Sequence, residues 1–307
     1  MLRIVNPSPA NEAAVSRFLR GHLKETGRLL AHAYVRERPK EVFLATEAGS
    51  ILGFSNLQRV TSGTAAIANL RIGKRQGMLT AAAMLVEATV KRARELLQKS
   101  ITCVESRSGQ PSVSILKSQG FEFWFTREMF SGSTAENQDV AISTVRSELQ
   151  AASVMVRLGP GGAVHRDFRP VAASIESLAD LLTNGVLLGD KADSGDLVAV
   201  RASKAIIDKE GEAYFVPSYL SDASLCLAEA VGEVSIMGES ASPGTISAAS
   251  DWLKRKGVKV MYVYCKQNLP LGKQLSERGL TFVGAQNVWR KDLRGPFDQF
   301  LSQNTLT

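Results

Sequence analysis

The chain has 307 residues, of which 44% are hydrophobic and 22% are charged, and its formal net charge is +7. This composition is that of an ordinary globular protein and argues against a disordered or fibrous chain. No apolar run approaches the roughly 20 residues that a membrane helix needs, and the first residues lack the layout of a secretion signal, so we expect a cytoplasmic protein without membrane contact.

The first half of the chain predicts three strands followed by a long helix. Glu41–Glu47 and Ile51–Val60 are predicted strands around a tight turn, and Thr64–Ile72 is a third. From Gln76 to Gln98 apolar residues recur every three or four positions, with charged residues on the other side. This period predicts an amphipathic helix.

One block of sequence occurs twice, without a gap, at an offset of 159 residues: Ser100–Phe123 aligns with Lys259–Phe282. Both copies predict a strand, a short helix opened by Pro, a glycine stop and a second strand. The chain length also suits two hydrophobic cores. We therefore predict two consecutive copies of one α/β module, residues 1–150 and 151–307, with the connecting segment starting at about residue 131.

The turn between the third strand and the long helix is rich in glycine and basic residues. Lys74 and Arg75 supply positive charge, and Gly77 lets the backbone approach an anion closely. A helix N-terminus also offers backbone N–H groups without intrahelical partners, which favours a phosphate or pyrophosphate, and the Thr80 hydroxyl adds a donor. The pattern indicates an anion-binding turn.

The order of these elements resembles the GNAT superfamily of acyl-CoA-dependent N-acyltransferases. The matching stretches are VFLATEAGSILGF, NLRIGKRQGMLTAAAMLVEA and SILKSQGFEF, and the resemblance covers most of residues 1–130. In that family a turn of the form Arg/Gln-x-x-Gly-x-Gly/Ala cradles the CoA pyrophosphate. The nearest match here is Lys74-x-x-Gly77-x-Leu79, with Lys in the first position and Leu in the last.

The resemblance implies a mixed α/β fold in each module, with a mostly antiparallel sheet flanked by helices. It implies acetyl-CoA or another acyl-CoA as co-substrate, and acyl transfer to an amine of a small molecule or a protein. Strand backbone near residue 71 would hold the thioester carbonyl. The implied cofactor-binding residues are Leu70, Arg71, Ile72, Lys74, Arg75, Gln76, Gly77, Met78, Leu79 and Thr80.

The family's frequent acid and base are missing from their usual places. Leu116 stands where the family often has a proton-donating Tyr, and the strand Thr64–Ile72 holds no carboxylate. Glu105, at the end of the next strand, is the candidate for a base that works through water, and Glu47 is a second candidate. Positioning alone is another route, because a CoA thioester is already activated.

The second copy lacks the cations of the first. Its corresponding turn contains Glu239 and neither Lys nor Arg, and a carboxylate there repels a pyrophosphate. Ser242 and Pro243 predict instead a helix N-cap followed by a first-turn proline. We therefore expect the acyl-CoA site in the first module and a degenerate second module.

Two other functions stay open. With neither Tyr nor carboxylate in place, the chain is alternatively an inactive binding or regulatory protein. A transferase that uses an aminoacyl-tRNA donor is the second alternative, which the sequence pI of 9.4 suits. Other nucleic-acid binding is less favoured, because the basic residues are interspersed with acids.

The cysteines and histidines show no metal-ligand spacing, so we expect no metal site. Cys103, Cys226 and Cys265 each lie in an apolar run that predicts a strand. Buried thiols are the expected outcome.

Overall fold

The computed structural model describes residues 1–60, 64–73, 78–106, 110–135, 185–188, 198–209, 211, 213–217, 219–220, 228–236, 242–267 and 269–294. The boundary predicted near residue 150 lies outside these ranges and stays a prediction. Cys226 and Glu239 also lie outside them.

The first half forms the strands and the long helix that the sequence predicts. The predicted strands correspond to β2, β3 and β4, and the predicted helix corresponds to α3. In chain order the elements are β1 (Arg3–Val5), α1 (Glu12–His22), α2 (Glu25–Glu37), β2 (Val42–Glu47), β3 (Ser50–Arg59), β4 (Thr64–Ile72), α3 (Met78–Glu95), β5 (Ser100–Ser106), α4 (Gln110–Ser118) and β6 (Glu122–Ser133).

The second half repeats much of this order. Its described elements are β7 (Gly185–Leu188), β8 (Val198–Ile207), β9 (Ala213–Phe215), β10 (Glu229–Ile236), α5 (Pro243–Arg255), β11 (Val260–Lys266), α6 (Leu269–Glu277) and β12 (Thr281–Asp292). Ser242 is the N-cap of α5, since its hydroxyl oxygen accepts a hydrogen bond from the Thr245 N–H at 3.2 Å. The predicted cap and first-turn proline are confirmed.

The duplicated block folds in the same way in both halves. The bounds of α6 and β12 equal those of α4 and β6 plus the same 159 residues. Gly120 and Gly279, which end the two short helices, have φ values of +74° and +79°, a region that glycine enters without steric cost. Leu116 and Leu275 are each 0% exposed. The repeat read from the sequence is therefore a structural repeat.

The two halves share one sheet of mixed, mostly antiparallel strands. The strand order is β1-β2-β3-β4-β5-β12-β6-β11-β10-β8-β7, and β9 pairs with β8. The last strand of each half thus lies beside the other half: β12 pairs with β5 from Asp292 to Gln286, and β6 pairs with β11 from Ser133 to Arg127. The modules are consecutive along the chain but exchange their final strands in space.

Helices cover both faces of the sheet in the first half. On one face, here called the α3 face, α3 and α4 pack over a core that includes Leu85, Leu116 and Trp289. On the opposite face, α1 and α2 pack over Phe54 together with Ile206 and Leu220 of the second half. The cores of the two halves are therefore joined on this opposite face as well as through the exchanged strands.

Tyr219 of the second half makes the polar part of this contact. Its hydroxyl shares a hydrogen bond with the Tyr34 hydroxyl at 2.9 Å and accepts another from the Arg59 N–H at 3.1 Å. The Arg59 guanidinium also pairs with the buried Glu41 carboxylate at 2.8 Å. The two hydrogen bonds of Tyr219 attach the second half to α2 and to the end of β3.

Because one sheet carries both halves, we expect one cooperative unfolding transition. Leu116→Ala and Leu275→Ala, at equivalent positions of the two halves, should each lower the free energy of unfolding by about 2–5 kcal/mol. Both variants should keep a single peak in calorimetry. The matched control is Leu97→Ala, at a side chain that is 85% exposed, with an expected change within about 0.5 kcal/mol. Two transitions, each moved by only one of the variants, would contradict a shared sheet.

Candidate functional site

A gap opens between two parallel strands in the first half. β4 and β5 pair only from Thr64–Ser100 to Ile67–Cys103. β4 nevertheless continues to Ile72 and β5 to Ser106. The space between residues 68–72 of β4 and residues 104–106 of β5 is here called the β4–β5 gap. Backbone N–H and C=O groups along such a gap are available to a ligand that lies between the strands.

A bulge in β4 lies at the start of the gap. Phe54 of β3 is opposite Arg71, but Asn56 is opposite Ala68, so β4 holds one residue more than β3 over this stretch. Asn69 takes up the irregularity with a φ of +53°. Bulges bend a strand away from regular pairing and often lie beside active sites. The bulge thus follows directly after Ile67, the last residue of β4 that pairs with β5.

The predicted anion-binding turn comes directly after β4. The Gly73 N–H donates to the Leu52 carbonyl at 2.7 Å, which anchors the end of β4. The described part of α3 begins at Met78, and Leu79 and Thr80 in its first turn are exposed. Lys74, Arg75, Gln76 and Gly77 lie outside the described residues, so their role stays a prediction. β4 ends at Ile72 and the described part of α3 begins at Met78, and a helix N-terminus offers backbone N–H groups without intrahelical partners.

Comparison with solved structures identifies the fold. A GCN5-related N-acetyltransferase from Sphaerobacter thermophilus superposes with a TM-score of 0.53 at 10% identity, covering 96% of this chain and 96% of that chain. A glucosamine N-acetyltransferase region of a fungal multi-domain β-N-acetylglucosaminidase superposes with a TM-score of 0.56 at 12% identity, covering 95% of this chain and 38% of the other. The chain has the GNAT fold. Neither a protein-family model nor a curated protein matches its sequence.

The other predicted site residues differ in their position and in their exposure to solvent. Leu70 is partly exposed beside the gap, and the exposed Arg71 guanidinium donates to the Leu70 carbonyl at 3.0 Å. Glu105 is in β5 opposite Asn287; its side chain lies outside the described part, so its role as a base stays a prediction. Glu47 is at the β2–β3 hairpin, 3.9 Å from the N-terminal amine. Leu116 is fully buried in the α3-face core and offers no proton.

A pair of amides in the first GNAT module was not found from the sequence. The Asn69 Nδ2 donates to the Asn56 Oδ1 at 3.1 Å. Asn56 is 0% exposed, and its own Nδ2 has no hydrogen-bond partner among the described residues. The one available signal was Asn69 itself, because Asn is rare inside strands and tolerates a positive φ.

A second residue missed by the sequence analysis lies beside the turn. A Cβ atom built on Gly73 would lie 3.8 Å from the His22 Nε2 at the end of α1. The His22 ring stacks on Phe18, with its Nδ1 2.8 Å from the Phe18 carbonyl oxygen. A single His at the end of a helix does not indicate, from the sequence, that its side chain lies beside Gly73.

The second GNAT module carries a buried ion pair on the strand equivalent to β4. That strand is β10, which runs parallel to β11 and antiparallel to β8. The Glu233 carboxylate lies 2.6 Å from the Arg201 guanidinium, and the Ser203 hydroxyl donates to it at 3.2 Å. Glu233 is 3% exposed. This carboxylate is neutralised by Arg201 and lies where β10 and β11 are still paired.

Two cysteines lie in the described part of the chain, and both are buried as predicted. Burial, with a smaller effect of the Glu128 carboxylate, raises the pKa of the Cys265 thiol to about 12. In the described ranges, no three His, Cys, Asp or Glu side chains cluster as metal ligands would. Within the same ranges, none of the helices has the length and apolar character that spanning a membrane requires.

The bulge at Asn69 predicts an order of stability for two substitutions. Both Asn69→Gly and Asn69→Ala remove the hydrogen bond to Asn56, so their difference isolates the backbone term. At a φ of +53°, we expect the Ala variant to be less stable than the Gly variant by about 1 kcal/mol. Urea denaturation of the two proteins measures the difference. Equal stability would mean that the positive φ is not held in solution.

Proposed function

We propose that this protein is an acyl-CoA-dependent N-acyltransferase with its active site in the first module. The β4–β5 gap carries the proposal. Its strand edges offer backbone hydrogen bonds to an extended ligand, and it ends at the N-terminus of α3 and the basic turn. An acyl-CoA has this shape and charge distribution, because an extended pantetheine arm joins an anionic pyrophosphate to an activated acyl group.

The turn residues would bind the phosphates. Lys74 and Arg75 supply positive charge, and Gly77 leaves room for the anion beside the first backbone N–H groups of α3. Met78, Leu79 and Thr80 form the described start of the helix, with Leu79 59% exposed. The Leu79 side chain need not bind the phosphates, since the proposed hydrogen bonds to them come from the backbone N–H groups of α3.

The reaction would be acyl transfer to an amine. A neutral amine attacks the thioester carbonyl carbon, a C–N bond forms, and the C–S bond breaks to release CoA as the thiolate. Backbone donors around Leu70, Arg71 and Ile72 would stabilise the negative charge on the carbonyl oxygen. The proton lost by the amine passes through water to Glu105, and the thiolate takes up a proton from solvent.

The second module would serve as a structural partner. Its own turn contains Glu239 and no cation, and its buried carboxylate Glu233 is held by Arg201. We infer that it binds no acyl-CoA. In this proposal the acceptor is a small-molecule or protein amine, and the protein acts in the cytoplasm.

One observation favours an inactive protein that binds acyl-CoA without turning it over. Leu116 occupies the place of the family's frequent proton donor and is sealed in the core. In that case acetyl-CoA would bind and raise the melting temperature, but no amine would be acylated.

Charge reversal at the turn tests the binding site. Lys74→Glu with Arg75→Glu should weaken acetyl-CoA binding at least tenfold, about 1.4 kcal/mol, since two attractive charges become repulsive. Calorimetric titration of the wild type should give one site per chain. The control is Lys91→Glu with Arg94→Glu, which makes the same change in net charge on exposed residues near the other end of α3. Unchanged affinity in the first variant, or two sites per chain, would refute the assignment.

Substitution of the proposed base separates binding from chemistry. Glu105→Gln removes the proton acceptor but keeps the size of the side chain. We expect a lower turnover number with acetyl-CoA affinity unchanged within about twofold, because the residue would act only on the amine. Turnover is followed by release of the CoA thiol across a panel of primary amines. A fully active variant would exclude Glu105 from the mechanism.

A further inference from the structure

The side chain of Asn56 has an unexplained polar atom in the interior of the first module. Its Oδ1 accepts a hydrogen bond from Asn69, but its Nδ2 has no partner in the described part of the chain, although the residue is 0% exposed. Exchanging the O and N positions of both amides keeps their mutual bond and still leaves one atom of Asn56 unpaired. Buried polar groups are almost always paired, and an unpaired one in a native protein needs an explanation.

Asn56 is on the face of the sheet opposite α3. The neighbouring Ser55 hydroxyl bonds to Thr89 of α3 at 3.0 Å, and Leu57 belongs to the α3-face core. Since side chains alternate along a strand, Asn56 between them points to the other face. A ligand that starts at the α3 N-terminus and passes between β4 and β5 would bring its far end to this face.

Small side chains of β4 lie between Asn56 and the β4–β5 gap. The residue of β4 opposite Asn56 is Ala68, and its side chain is on the same face of the sheet as that of Asn56. Ala66 comes two residues earlier in β4, so its side chain is on this face as well. Ala68 is partly exposed. Asn56 is therefore one strand away from the place where β4 loses its partner strand, and on their shared face β4 carries only a methyl group at this position.

From these observations we infer that the Asn56 Nδ2 donates a hydrogen bond to the acyl carbonyl oxygen of the bound thioester. The inference rests on the proposed function, because it requires an acyl-CoA in the gap. A carbonyl oxygen has two lone pairs, so it accepts this bond together with one from the β4 backbone. Asn56 is then a donor to the oxygen on which charge develops during acyl transfer.

The unpaired amide is also a reason why the site favours this ligand. A buried donor without a partner destabilises the free protein, and a ligand that supplies the missing acceptor relieves this cost. A ligand of the same length that lacks the carbonyl oxygen does not relieve this cost. The contact would therefore make the protein discriminate between a thioester and its thioether analogue.

Binding of two probes to three proteins tests the inference. The probes are acetyl-CoA and S-ethyl-CoA, in which a CH₂ group replaces the carbonyl. Titration calorimetry should show that the wild type prefers acetyl-CoA by about three- to tenfold for each hydrogen bond that the carbonyl accepts, one from Asn56 and one from the β4 backbone. Asn56→Leu should lose at least a factor of about three of this preference and bind S-ethyl-CoA as the wild type does. Its melting temperature is measured alongside to show that it is folded, since the substitution removes both the unpaired donor and the hydrogen bond from Asn69.

The matched control is Ser55→Ala, the adjacent buried residue on the α3 face. Its hydroxyl is paired, so the variant should melt at a lower temperature but keep the full preference for acetyl-CoA. Should the Leu side chain disturb folding, Asn56→Ala gives the same test of preference.

The possible outcomes separate this inference from the proposed function. An unchanged preference in a folded Asn56 variant overturns the inference and leaves acyl-CoA binding intact. A wild type that binds neither probe overturns the proposed function, and the inference fails with it.

Discussion

The pairing of β12 with β5 joins the two halves of the chain at the centre of the sheet. β5 loses β4 as a partner beyond Cys103, and its other edge needs a strand if it is to remain extended to Ser106. That strand comes from the second half of the chain. β12 thus lies along the edge of β5 that faces away from the gap, and the sheet of each half includes a strand of the other.

This exchange gives the second module a structural role, although its corresponding turn contains neither Lys nor Arg. β6 completes the exchange by pairing with β11, so the two central strands lie side by side, each beside the other half. The apolar contact of α1 and α2 with Ile206 and Leu220 adds a second attachment. A module held in this way contributes strands and apolar contacts to the shared structure whether or not it binds a ligand.

The irregular features of the first module lie together. The end of the β4–β5 pairing, the bulge at Asn69 with its positive φ, and the unpaired amide of Asn56 all lie around one stretch of β4. The positive φ and the unpaired amide each cost stability. Regular sequence rules are most often broken at functional sites, where a ligand offsets the cost. Their coincidence on one stretch of β4 supports the proposal that the site lies here.

The local elements and their repetition could be predicted from the order of residues. Apolar periodicity predicted β2, β3, β4 and α3, and the block at an offset of 159 residues predicted two equivalent strand–helix–strand units with the same glycine stops. These features depend on neighbours within about one turn or one strand, which the order of residues encodes directly.

The choice of neighbouring strands could not be predicted from the sequence. β6 and β12 have similar patterns, so nothing in the sequence distinguishes pairing within a module from pairing across the two. The Asn56–Asn69 bond arises because a bulge shifts β4 against β3 by one residue, and the unpaired Nδ2 follows from burial by distant parts of the chain. Register and burial depend on contacts between residues far apart in the sequence, and these contacts exist only once the whole sheet has formed.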